Sequence, residues 1–506
     1  MTRSRRAIFT YLTSIAFTAV TMVVGLVAIP YLLRWLGEEQ FGAYRAAADW
    51  YAHLILLELG IGGALYPLLA KALSRNERSA LGATVSAGVR AYVRITAFML
   101  LAGLVLAAGI PYLVPVDAAL TGDLTRAALV AVVGLALTPL IPFRQLWEAR
   151  QEGYRVNLLL LVQSLLITAV ALLLAYAGWG ITGQMVALVF GGYAFYFVLV
   201  GREARERPWL VKAVTSRVPD AEAWSELWKL NRPTVTRQMC GRISVASDRI
   251  IVAAMLGPVM VVPLFVTQRL VQLAQQQVQS IGSAAWAGLA ELDARGERET
   301  FNARLVELTQ MVTALGIAVL VPIIAYNEHF VSLWVGGQRY AGDLVTAAAG
   351  AGAILLAVVT LWDWAFEGTG RVARLVPVTI VSTVINLALS IALIPRYGVA
   401  GPLLGTLVAV SLTSAWYVPL LLKRDFDLRL GALLRATLIP IAWGVVFFPV
   451  AWRLAHSRAS LGWAALALEM SAAVTTYLLV WWLAMLTPGQ RRMNLERMRA
   501  LFAKAR

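Results

Sequence analysis

Residues 237–256 read RQMCGRISVASDRIIVAAML, a stretch that ends like a membrane span yet carries Arg237, Arg242, Asp248 and Arg249. The guanidinium group is a planar fork of donors suited to carboxylates and phosphates. Seven positions, nearly two helical turns, separate Arg242 from Arg249, so the two share a helix face about 10 Å apart along the axis. Inside hydrocarbon each arginine costs roughly 2.5 to 3.5 kcal/mol, and several together would rival the net stability of a whole domain. They must face a wet cavity, a carboxylate or an anionic ligand. The next apolar segment adds Arg269 within TQRLVQLAQQQVQS, where Gln268, Gln272, Gln275 and Gln279 recur every three or four residues. That spacing lays the amides along one helix face with Gln276 beside it, a stripe able to hydrogen-bond sugar hydroxyls without charge. Near the N-terminus, Tyr11, Ser14, Thr18 and Thr21 form a hydroxyl stripe, and Arg45, Asp49 and His53 follow at i, i+4 steps ahead of Glu58.

Each feature also has a plainer reading. Asp248 and Arg249 can pair with counterparts on other helices, and glutamine stripes glue helices together in membranes. Serine and threonine can hydrogen-bond their own helix. His53 either titrates near neutral pH or is satisfied by Asp49. Gly401 and Gly405 form a GxxxG pattern that suits close packing. Pro139 and Pro142 in LTPLIPFRQ should bend or break their span.

The elements that must position these residues follow from composition. Of 506 residues 59% are hydrophobic and 14% charged, against roughly a quarter charged in soluble domains. Apolar runs long enough for the roughly 30 Å hydrocarbon layer recur throughout, giving an all-α polytopic membrane protein of about 14 transmembrane helices. The first span is too long for a signal-peptide core and lacks a small-residue cleavage site. Basic residues concentrate in RSRR, KALSRNER, GREARERPWLVKAVTSR, ELDARGERET, KRDFDLR and the C-terminal tail. With both termini cytoplasmic, these segments all fall on the inner side. The same bias explains the net charge of +16 without invoking nucleic acid, whose binding a basic soluble protein would suggest.

The chain also repeats itself. WEARQEGYRVNLLLLVQSLLITAVALLLAYAGWGITG from Trp147 aligns with FEGTGRVARLVPVTIVSTVINLALSIALIPRYGVAG from Phe366, matching Glu148 to Glu367 and Arg155 to Arg374 at an offset of about 219. RWLGEEQFGAY aligns more weakly with AMLGPVMVVPL. The expected organisation is 1–215, a six-helix lobe; 216–425, its parallel repeat; and 426–506, two further spans and a basic tail. Parallel repeats of this kind place a substrate site between the halves near the midplane. A linker helix presenting Trp224, Leu227 and Trp228, and a tail presenting Leu495, Met498, Leu501 and Phe502, are expected at the membrane surface, where the basic tail meets anionic lipids.

Signals for other chemistry are missing: there is no Walker A, GxGxxG, HExxH, CxxC or GxSxG sequence. Cys240 stands alone, and His53, His329 and His456 are too scattered in sequence to indicate a metal cluster. No catalytic residue, metal or cofactor is expected.

The stretches VAIPYLLRWLGEEQFGAYRAA, SDRIIVAAMLG, HFVSLWVGGQRY and INLALSIALIPRYGVAGPLLGTLVA, in this order and spacing, resemble the polysaccharide transporter (O-antigen flippase) branch of the multidrug/oligosaccharidyl-lipid/polysaccharide exporter superfamily. The resemblance runs over residues 8–425. It implies two six-helix lobes in a V around a cationic cavity, residence in the bacterial inner membrane, and flipping of undecaprenyl-pyrophosphate-linked oligosaccharides for O-antigen, capsule or exopolysaccharide assembly. A polysaccharide polymerase and its assembly machinery are the implied protein partners. The two added C-terminal spans depart from that branch and are shared with lipid II flippases of the same superfamily.

Together the two readings assign the pyrophosphate to Arg242, Arg249 and Arg269, then Arg237 and Arg45, and the glycan to Gln268, Gln272, Gln275 and Gln279. Asp49, Glu58 and Asp248 are the candidates for ion coupling. The alternatives are a lipid II flippase and a multidrug or organic-cation antiporter, which would want carboxylates and aromatics in its cavity. A glycan polymerase or ligase would want a large outer loop, and the outer loops here are short.

Overall fold

The computed structural model describes residues 3–56, 58, 61, 65, 68–69, 72–73, 78–150, 152–215, 232–457, 462–486, 488–492 and 495–496. The linker 216–231, the side chains of Tyr11, Arg237 and Arg242, and tail positions Met498, Leu501 and Phe502 lie outside the described residues.

All regular elements among the described residues are helical. They are α1 (Arg3–Leu56), α2 (Arg78–Leu113), α3 (Ala118–Leu135), α4 (Ile141–Ala149), α5 (Gly153–Tyr176), α6 (Gly180–Glu206), α7 (Pro208–Thr215), α8 (Arg232–Leu256), α9 (Val261–Ala294), α10 (Arg298–Val335), α11 (Asp343–Gly368), α12 (Val376–Tyr397), α13 (Gly401–Leu412), α14 (Ser414–Phe426), α15 (Leu430–His456) and α16 (Trp463–Val480). Ten stretches are long and apolar enough to cross a membrane. Two of them, Thr13–Ile55 and Val376–Phe426, hold two arms each, and the more polar α8 and α9 bring the number to the expected about fourteen. The chain is therefore a multi-pass membrane protein.

Glycine and proline set the breaks. α1 divides at Gly37 (φ 77°), a backbone conformation that a side chain would strain. Pro139 and Pro142 stand where α3 gives way to a 3-10 turn and α4, so this span is broken as its sequence suggests. Gly401 and Gly405 let α13 press against the backbone of α12. A Cβ would lie 2.7 Å from the Ile394 nitrogen at the first and 2.8 Å from the Ser390 nitrogen at the second, so this GxxxG is a packing contact.

The helices gather into two compact units, Met1–Val262 and Pro263–Arg506. In the first, α5 runs along α1, α6 packs on α3 and α5, and α8 lies against α1. Its core includes Leu65, Tyr92, Leu146 and Leu210. Glu203, fully buried, is neutralised by Arg150 and by Arg207, the latter at 3.0 Å. In the second unit, α12 packs on α13 and α10 on α11, α15 and α16. Phe301 stacks on Phe426 at 4.8 Å, and buried Trp362 donates to the Thr309 hydroxyl at 3.1 Å. Tyr477 of α16 donates to the Pro440 carbonyl of α15 at 2.7 Å, holding the two added helices together.

Packing groups α8 with the N-terminal unit, whereas the repeat drawn from sequence starts its second copy at 216. The repeat-matched glycines have matching backbones: Gly37 and Gly257 adopt φ 77° and 87°, and Gly180 and Gly398 adopt φ 54° and 55°. We propose from this shared geometry that 1–215 and 216–425 are copies of one ancestral unit, followed by the 426–506 extension.

Candidate functional site

The second arm of α1 and helix α8 run side by side because Gly42 has no side chain: a Cβ there would fall 1.9 Å from the Pro258 carbonyl oxygen. From that contact the helices diverge in sequence but stay in register for a charge pair. Asp49 lies twelve residues past the Gly37 break, about 18 Å along its helix, and Arg249 eight residues before Gly257, about 12 Å along its own. Asp49 stands inside a stretch long and apolar enough to cross a membrane, Thr13–Ile55.

There Arg249 forks onto the Asp49 carboxylate, Nε to Oδ2 at 2.5 Å and Nη2 to Oδ1 at 2.9 Å. The two side chains are 17% and 9% exposed. Of the two readings open for Arg249, an internal counter-ion is therefore realised, and the residue left some solvent contact is the arginine. Arg45, one turn before Asp49, sits 5.9 Å over the Tyr44 ring and interacts electrostatically with both Arg249 and Asp49. Asp248 is adjacent. Its Oδ1 is buried and makes no hydrogen bond with any described residue. The cluster thus gathers Arg45, Asp49, Asp248 and Arg249 from two helices.

Beside it opens a cavity of about 630 Å³ between α1, α2 and α8, walled by Trp50, Leu54, Val105, Leu106, Leu113 and Met239 and edged by His53. His53 donates through Nδ1 to the Asp49 carbonyl at 2.7 Å; it is satisfied by Asp49, through the backbone and not the carboxylate. Glu58 is held apart from the cluster, accepting from the Tyr92 hydroxyl at 2.7 Å. The hydroxyls of the first arm turn inward on their own helix: Thr18 donates to the Ser14 carbonyl at 2.9 Å and Thr21 to the Phe17 carbonyl at 2.7 Å. Thr18 and Thr21 thus have the structural role left open for them.

The second unit holds the amide stripe. Gln268 is buried, and Gln272 donates to its Oε1 at 2.8 Å. Gln275 and Gln279 continue along α9 half-buried, Gln276 is exposed, and Arg269 is half-buried next to Gln268. The Gln268 amide nitrogen is buried without a partner among the described residues, so the start of the stripe retains unused donor capacity.

One ionisable group escaped sequence reasoning. Glu469, the lone acidic residue of α16, accepts from Tyr326 at 3.1 Å and lines a cavity of about 320 Å³ with Phe447, Leu454 and Thr476. A carboxylate inside ALALEMSAAV was a readable signal.

The helices of this multi-pass membrane protein thus place a buried cluster of arginine and aspartate near an apolar chamber. Residues 9–287 match the family model described as "Polysaccharide biosynthesis protein", and the chain belongs to that family. Among solved structures it is similar to "Lipid II flippase MurJ, inward closed conformation", with a TM-score of 0.71 and 14% identity over 93% of this chain and 99% of that one. It is also similar to an outward-facing "multidrug resistance MATE family transporter of the MOP superfamily" (TM-score 0.60, 12% identity, 89% and 97% covered) and to an inward-facing one (TM-score 0.57, 14% identity, 87% and 98% covered). At these identities the likeness is one of fold. No curated protein sequence matches the chain.

Proposed function

We propose that the protein is a flippase that moves an oligosaccharide carried on undecaprenyl pyrophosphate across the bacterial inner membrane, exposing one site alternately to the two sides, with both termini in the cytoplasm. The observation that carries this reading is the intramembrane Arg45–Asp49–Arg249 cluster in a member of a polysaccharide biosynthesis family. A pyrophosphate is the ligand best able to compete with Asp49 for a guanidinium fork, because it offers more charge and more acceptor oxygens in the same geometry. Asp49 holds Arg249 in an ion pair; when phosphate takes the fork, the displaced carboxylate needs a proton or cation. Asp248, whose buried Oδ1 makes no hydrogen bond with any described residue, is the second acceptor for it. The apolar chamber beside Trp50 and Leu106 suits the prenyl chain near the head. Arg242, Arg237 and Arg269 would extend the phosphate contacts, and Gln268, Gln272, Gln275 and Gln279 the glycan contacts.

A second reading, transport of lipid II itself, is favoured by the similarity to MurJ over almost the whole of both chains. Both cargoes share the polyprenyl pyrophosphate and differ in glycan. Native mass spectrometry of the gently purified protein tests the proposal: a co-purifying polyprenyl-pyrophosphate glycan is expected, its sugar mass separates the two cargoes, and an organic cation in its place would make the protein a drug antiporter. The polymerase and the assembly machinery that consume the flipped lipid are the proposed protein partners, with anionic lipids along the basic tail.

A further inference from the structure

Three side chains from three helices of the second unit converge at helix ends. Glu328 stands near the end of α10, Asp343 is the first residue of α11 and His456 the last of α15, and their ligand atoms lie within 4.8 Å of one another. All three are exposed.

The orientation of His456 gives the cluster its meaning. Its Nδ1 lies 2.9 Å from the Trp452 carbonyl oxygen, and its ring stacks on the Trp452 indole at 4.0 Å. A carbonyl only accepts, so Nδ1 carries the proton and the lone pair of a neutral ring sits on Nε2. That lone pair faces Glu328 Oε2 at 3.7 Å. An imidazolium donating to a carboxylate would close to about 2.7–2.9 Å. Two ligands held about 2.0–2.1 Å from a tetrahedral zinc ion lie about 3.3–3.4 Å apart, much nearer the observed separation.

Groups outside the cluster hold Asp343 directly and fix the helices that carry Glu328 and His456. Tyr340 donates to Asp343 Oδ1 at 2.7 Å, and His329 Nε2 donates to the Ala455 carbonyl at 2.8 Å, fixing the end of α15. Fully buried Asn327, next to Glu328, donates to the Thr267 carbonyl at 2.8 Å and to the Thr346 hydroxyl at 3.0 Å, locking α10 to α9 and α11. The Trp452 carbonyl on His456 and Tyr340 on Asp343 are the kind of partner that orients imidazole and carboxylate ligands around metals.

We infer that Glu328, Asp343 and His456 form a binding site for a divalent transition-metal ion of the zinc class. One imidazole with two carboxylates favours zinc, cobalt or nickel over calcium and magnesium, which take all-oxygen shells. The ion would tie the added helices α15 and α16 to α10 and α11.

The test uses the full-length protein in detergent, free of any affinity tag and stripped with chelator. It is equilibrated with micromolar zinc chloride or calcium chloride, desalted and assayed by elemental mass spectrometry. About one zinc and no calcium per chain is expected, with a rise in thermal midpoint on adding zinc. His456→Ala, and Glu328→Gln with Asp343→Asn, should each weaken zinc binding at least tenfold. Their midpoints in chelator should equal that of the unaltered chain, which separates lost metal from lost fold, and His53→Ala should bind zinc normally. Absence of stoichiometric zinc, or undiminished zinc in His456→Ala, would overturn the assignment and leave a solvated cluster or adventitious binding only.

Discussion

Removing the charges of Asp49 and Arg249 separately and together distinguishes a structural pair from a substrate site. With side chains 17% and 9% exposed, the pair is mostly withdrawn from water. Taking away one partner removes the other's carboxylate or guanidinium counter-charge, at a cost of about 3–5 kcal/mol. Arg249→Gln or Asp49→Asn alone should therefore lower the thermal midpoint, by roughly 10 °C at the 2–4 °C per kcal/mol found for units of this size. The double variant leaves two neutral, hydrogen-bonding side chains and should recover most of that loss.

Flipping should not recover. A charge-assisted hydrogen bond contributes about 1.5–3 kcal/mol, so a double variant without the guanidinium should flip a fluorescent polyprenyl-pyrophosphate lipid in reconstituted vesicles some ten- to hundredfold more slowly. Competition predicts a further asymmetry. In Asp49→Asn the fork has lost its carboxylate competitor, and farnesyl pyrophosphate should raise its midpoint more than it raises that of the unaltered chain. In the double variant it should raise it least. A stable double variant that flips at the unaltered rate, or equal farnesyl pyrophosphate shifts in all three proteins, would refute the assignment of Arg249 to the head group.

Other consequences follow from single contacts. Asp248→Asn should retain its fold, since the buried Oδ1 has no hydrogen bond to lose among the described residues, but the dependence of flipping on an imposed proton gradient should flatten in the vesicle assay. Gly42→Val should reduce the yield of folded protein on size-exclusion chromatography, because its Cβ would meet the Pro258 oxygen at 1.9 Å and push α1 from α8. Gly405→Leu should do the same through the Ser390 backbone. Gln272→Leu removes the donor to Gln268 and should change the midpoint by only about 1 kcal/mol equivalent; a much larger drop in glycan-lipid transport than in stability would mark the stripe as a cargo surface.

The two charged sites differ in how far sequence could reach them. Arg249 was readable because a guanidinium inside an apolar run has few places to go, and Asp49 because it stands one turn from Arg45. Their union was not, since helical periodicity orders residues along one helix and carries no information about which face a distant helix presents. The same limit hid the meeting of Glu328, Asp343 and His456, three helix ends that periodicity treats as unrelated, and led the histidines to be read as scattered. Backbone punctuation was easier to see, since a glycine at positive φ or a proline at a helix start acts through its own covalent geometry: Gly37, Pro139, Pro142 and the Gly401–Gly405 pair all sit where such constraints put them. The hydroxyls of Thr18 and Thr21 fall between these cases, because composition cannot say whether a threonine bonds its own carbonyl or a ligand. In this protein they take the carbonyl. The head-group site we propose is therefore the two-helix cluster, in which an aspartate occupies the place that a phosphate would take, while the glutamine stripe is kept for the glycan. That substitution makes binding of an anionic head group and release of Asp49 one event, so any ion that couples to transport should act by neutralising the carboxylate as the phosphate arrives.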